Sequence, residues 1–119
     1  MEKQESKVNK LRFVGENNGF SIKKNGLVVL KIQCDGTQLA RVLMLLQYAN
    51  EDFMVFAKTS DGNISMGQFG FRSLSIDRDG ETKIQLEADK NSVKMAGVET
   101  VYQMEELVTF VFCQLDKAD

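Results

Sequence analysis

The chain has 119 residues, 43% hydrophobic and 27% charged, which suits one globular domain with a buried core. It contains no histidine, so the commonest general base and the His-dependent triads and zinc sites are missing, and no apolar run is long enough to span a bilayer. The formal net charge is −2 but unevenly spread: residues 1–31 hold seven Lys/Arg against three Glu, which leaves the rest of the chain acidic.

Residues 1–7 read as a flexible tail without the apolar segment of a secretory signal, and residues 8–119 as one α+β domain. "KLRFV", residues 10–14, has the alternation of a short strand, and the polar, glycine-flanked "GENNG" after it reads as a turn. "FSIKKNGLVVLKIQC" then reads as a β-hairpin. A three-residue loop of Lys24, Asn25 and Gly26 pairs Ile22 with Val28 and Phe20 with Leu30, so Phe20, Ile22, Val28, Leu30, Ile32 and Cys34 share a face; a two-residue loop would not do this. In "CDGTQLARVLMLLQYAN" Asp35 is placed to cap a helix over residues 35–50, with Gln38 at capping-box spacing. Leu39, Val42, Leu43 and Leu46 form its buried stripe, and Asn50 is its stop.

"DFMVFAKT", residues 52–59, is a strand, and Asp61-Gly62 turns it into a longer one. Along that second strand the apolar positions slip from odd (Phe69, Phe71) to even (Leu74, Ile76), which requires a bulge near Arg72-Ser73. A three-residue "RDG" loop next pairs Asp77 with Glu81, Ile76 with Thr82 and Leu74 with Ile84. In the C-terminal part a short helix near 100–106 and a final strand near 108–115 are expected. One continuous helix is the competing reading, since Val101, Met104, Val108, Val111 and Leu115 also keep helical spacing. The fold expected from these elements is a twisted, mostly antiparallel sheet of about six or seven strands packed on one main helix, with the second helix short.

The stretch "GQFGFRSL", Gly67 to Leu74, asks for a decision. From Leu27 onwards the order of segments is similar to that of an RNA-recognition module, whose third strand carries a Lys/Arg-Gly-Phe-Gly-Phe motif, and Phe69-Gly70-Phe71 matches the motif's centre. Gly67, Gln68 and Arg72 depart from it, and the strand "LVVLKIQC" lacks the second aromatic. The expectation taken here is that both rings face the core. In the competing reading Phe69, Phe71 and Arg72, with Lys58 and Arg78, bind single-stranded nucleic acid on a sheet surface.

No pattern of residues marks a reaction. "DRDGE", Asp77–Glu81, opens like a calcium loop, but its glycine falls early and its twelfth position is Ala88, so a hairpin turn explains it. No phosphate-loop pattern follows the glycines, adjacent Glu105 and Glu106 cannot converge on one atom, and the internal methionines read as core filler. Cys34 and Cys113 stand far apart with no neighbouring ligand, which suits a reduced, cytoplasmic setting. With no catalytic, cofactor or metal site to assign, the expected function is a non-catalytic protein-binding module. Such a module is a small adaptor, inhibitor or subunit of the kind phages and mobile elements encode. It is expected to form a homodimer through its basic first third, its acidic C-terminal part and unpaired strand edges, with nucleic acid the less favoured partner and no membrane contact.

Overall fold

The chain's β-branched and aromatic runs form six strands: β1 (Lys10–Ile22), β2 (Leu27–Cys34), β3 (Asp52–Thr59), β4 (Gly62–Ile76), β5 (Thr82–Asp89) and β6 (Val108–Gln114). They are joined by antiparallel pairing into a closed barrel in the order β1-β2-β5-β4-β3-β6. Two α-helices, α1 (Leu39–Leu43) and α2 (Met95–Tyr102), complete a small α+β fold. The structure, a computed structural model, describes residues 10–48, 51–60, 62–104 and 107–115. Residues 1–7, read as a tail, and Asn50, read as a helix stop, lie outside the described residues. No helix among the described residues is long and apolar enough to cross a membrane.

Both hairpin registers follow the apolar pattern. Phe20 pairs with Leu30 and Ile22 with Val28. Leu74 pairs with Ile84 and Ile76 with Thr82, and the register slips between Phe71 and Ser73, where the odd-to-even change in "GQFGFRSL" requires an extra residue. The final strand is present at 108–114, so the β-branched and aromatic character of "VTFVFCQ" outweighs its helical spacing.

Three elements differ from the sequence reading. "GENNG" is not a turn: β1 runs through it, paired with β6 up to Gly15 and with β2 from Glu16 onwards. The strand bends there by a register shift between Asn17 and Phe20, held by Asn17 Oδ1 accepting from the Gly19 amide at 2.7 Å. The same polar, small residues that end strands elsewhere here turn a barrel corner.

The helix expected over 35–50 is broken. A 3-10 turn at Gly36–Gln38 leads into five residues of α1, followed by a second 3-10 segment, Met44–Tyr48. Leu39, Val42 and Leu45 repeat every third residue, the period of a 3-10 helix, and Val42 and Leu45 are fully buried. Leu43 and Leu46, counted into an α-helical stripe, are instead 38% and 51% exposed. The second helix lies at 95–102 rather than near 100–106. A glycine at position 97 disfavours a helix locally, but a Cβ there would sit 2.0 Å from Ser65 O, so only glycine lets α2 approach β4.

The long strands β1 and β4 each change partner halfway. β4 pairs with β3 over residues 62–70 and with β5 over 70–76, as β1 passes from β6 to β2. The barrel is therefore two curved half-sheets sharing β1 and β4, and each shared strand has stretches with a neighbour on one side only. Helical segments cover parts of these stretches. Gln38 Oε1 accepts from the Val14 amide at 2.9 Å, and Val93 bridges to Gly67. α2 packs on β4 and β1, with Tyr102 edge-on to Phe20 at 5.3 Å between ring centres. Inside, Phe13, Phe53, Phe110 and Phe112 form an aromatic cluster, closed by Leu30, Ile32, Ile84, Leu86 and Met66.

Candidate functional site

The residues singled out by the sequence do not meet. Phe69 is 1% exposed inside the barrel, and Phe71, two positions on, faces the same way and packs against the core half-buried. Arg72 is exposed and paired with Glu87 at 2.7 Å. Arg78 sits in the β4–β5 turn, whereas Lys58 lies on β3 in the other half-sheet. Phe69 lies on the inner side of the barrel, whereas the aromatic residues of an RNA-recognition module stand on an open sheet face.

Another surface assembles itself from the strand alternation. Leu11, Phe13, Phe53, Val55, Ala57, Phe110 and Phe112 point inwards, so their neighbours in sequence point out. Across β1, β6, β3 and β4 the outward rows run Lys10–Cys113–Met54–Gln68, then Arg12–Val111–Phe56, then Val14–Thr109–Lys58–Asn63. The centre of this face is apolar: Met54, Phe56, Val111 and Cys113 are all half-buried rather than covered. Lys10, Arg12, Phe56, Lys58, Asn63, Val111 and Cys113 line a groove of about 340 Å³. Arg41 on α1 lies beside Lys10 and Arg12 in an adjoining depression. Among the described residues no carboxylate lines either hollow, and no ion pair joins these four cations to a described carboxylate.

The same sheet carries the opposite charge farther along. Beyond Met54 and Gln68, a cleft of about 390 Å³ crosses β4 at Gly70 and is lined by Glu51, Asp52, Glu87 and Asp89, with Phe71 and Leu27. Gln68 Nε2 donates to Asp52 Oδ2 at 3.1 Å, which fixes that carboxylate at the cleft edge. A third, smaller groove of about 280 Å³ gathers Glu16, Asp35 and Glu81 near Leu107, which is 65% exposed. Asp35 accepts from both the amide and the hydroxyl of Thr37, and these bonds hold its carboxyl below the usual carboxylate range. Among the described residues, no group of three or more His, Cys, Asp and Glu is arranged to hold a metal ion.

The two thiols differ sharply. Cys34, within the barrel, is pushed up to about 12 mainly by burial, with Asp35 adding to the shift and its cross-strand neighbour Thr82 opposing it. Cys113 is half-exposed at the centre of the outer face. Sequence reading missed this face, although a signal for it was present. "DFMVFAKT" and "VTFVFCQ" are apolar at both parities, so if one parity fills the core, the other leaves hydrocarbon outside. No protein-family model matches the chain, and no curated protein matches it in sequence.

Proposed function

We propose that the protein is a non-catalytic protein-binding module, a small adaptor, inhibitor or subunit that also associates with itself. The observation that carries this reading is the outer face of β1, β6 and β3. There half-buried Met54, Phe56, Val111 and Cys113 are bordered by cations that no described carboxylate neutralises. Hydrocarbon left at a surface between unpaired charges is the composition of a contact surface, with an apolar centre and a polar rim. Five phenylalanines and the aliphatic side chains around them pack the barrel interior as core, so the surface is where a partner is met.

Affinity capture with the tagged protein, with and without nuclease, tests the reading. A captured protein that survives nuclease and is lost in a Phe56→Asp, Val111→Asp variant of normal far-UV circular dichroism is the expected result. Capture that depends on nucleic acid overturns it. The competing nucleic-acid site at Phe69, Phe71 and Arg72 gains no support from geometry, since one ring is enclosed and the guanidinium is paired.

A further inference from the structure

We infer that the partner of the outer face is a second copy of this chain, related by a two-fold axis passing near Met54 and Cys113. The inference rests on the self-association part of the proposed function and gives it a geometry. Across this face, charge changes sign about an apolar centre. Lys10 and Arg12 stand on β1 at one side, while Asp52 and the carboxylates of the Gly70 cleft stand at the other. A two-fold rotation about the centre exchanges the sides, so each copy's cations meet the other copy's carboxylates and the apolar residues meet each other. A surface with this antisymmetry is complementary to itself, which is the requirement of an isologous dimer.

The same pattern argues against the other occupant such a groove suggests. A single strand of nucleic acid lying across Phe56 would find Arg12 and Lys58 but would run towards Asp52 and Asp89 at the end of the sheet, where Glu87 is already paired with Arg72. A polyanion is repelled there, whereas a second copy brings cations to that place. The contact does not need the edge-to-edge pairing expected from sequence, since among the described residues unpaired main chain is confined to the one-sided stretches of β1 and β4. The dimer forms through side chains on a sheet face.

The test uses two charge-reversed variants of the full chain. Lys10→Glu with Arg12→Glu makes the basic side acidic, and Glu51→Lys with Asp52→Lys makes the acidic side basic. Sedimentation or light scattering should give about twice the 13.4 kDa chain mass for the wild type, weakening as salt is raised. Each variant alone should be monomeric, with dimer affinity reduced about 100-fold by like charges facing each other. Mixed one to one, the two variants should recover a dimer, because both contacts are then between opposite charges. Circular dichroism of each variant checks folding, and recovery on mixing cannot come from misfolded chains. A wild-type monomer at every concentration overturns the inference while leaving capture of a different protein as a separate question. Failure of the mixture to dimerise also overturns it, as does salt-sensitive binding of a labelled single strand that needs Lys10 and Arg12 while the protein stays monomeric.

Discussion

Replacing Gly67 by alanine separates packing from ligand contact in "GQFGFRSL". Gly67 has φ of +106°, and a Cβ there would lie 2.5 Å from Ser92 O, 2.7 Å from Lys94 N and 2.8 Å from Val93 Cα. All three are main-chain atoms of the segment that crosses β4 and bridges to it at Val93, so none can rotate away. The strained backbone costs about 1–3 kcal/mol. Forcing the crossing segment outwards adds about 1–3 kcal/mol, for a total near 4 kcal/mol. Gly70→Ala is the control. Its Cβ would meet Asp52 Oδ1 at 2.8 Å, the end of a rotatable side chain, and its φ is not in the left-handed region. The cost there stays below about 1 kcal/mol. Urea unfolding followed by far-UV circular dichroism reads both, since the chain has no tryptophan. With a slope of about 1.5 kcal/mol per molar, Gly67→Ala lowers the midpoint by roughly 2–3 M and Gly70→Ala by well under 1 M. Equal midpoints for the two variants would refute the argument that Gly67 is kept for the crossing at 92–94.

Phe69→Ala empties a fully enclosed site and should cost about 3–5 kcal/mol in the same assay, whereas Phe56→Ala on the outer face should cost less than about 1.5 kcal/mol. Arg72→Ala removes an ion pair whose partners are 38% and 40% exposed, so the unfolding midpoint should move by no more than about 0.5 M. In the folded, monomeric Lys10→Glu, Arg12→Glu variant a thiol reagent should modify Cys113 quickly and Cys34 only after denaturation, and two fast thiols would contradict the burial of Cys34. Burial holds the Cys34 thiol protonated to about pH 12, against an ordinary value of 9.0 in the unfolded chain. Above pH 9 the unfolded chain therefore binds fewer protons than the folded one, and stability falls as pH rises from 9 towards 12. Cys34→Ala should make that alkaline decline shallower, and an unchanged slope would sink the assignment.

What the sequence disclosed depended on period. Strand registers were legible because a period of two admits only two faces. At Leu74, Ile84 and Leu86 a one-residue error would have turned each apolar side chain away from the core. Helices were less legible, because Leu39, Val42, Leu43, Leu45 and Leu46 satisfy a period of 3.6 as easily as 3.0, and only the burial of Val42 and Leu45 in the core separates the two. The strand through "GENNG" was hidden because small polar residues serve turns and corners alike, and the corner exists only once β6 supplies a partner nearly a hundred residues later. The outer face stayed invisible for the same reason. Lys10 and Arg12 become neighbours of Phe56 and Lys58 only when β6 seats itself between β1 and β3.

Barrel closure also constrains how anything can bind. An open sheet offers its edge, and a partner that adds a strand gains main-chain hydrogen bonds with little regard for sequence. Here β6 pairs with β1 from Lys10 to Gly15 and with β3 from Phe53 to Lys58, and helical segments cover parts of the one-sided stretches of β1 and β4, at Val14 and Gly67. A partner must then read side chains, and the outer faces of β3 and β6 are where side chains offer hydrocarbon and charge together. Binding by side chains depends on sequence at each position, so a single Phe56→Asp should abolish a contact here that main-chain pairing at a free edge would largely keep. The face therefore joins the two halves of the argument: sealing the edges suppresses indiscriminate pairing, and the apolar residues left outside on β3 and β6 supply a selective contact in its place.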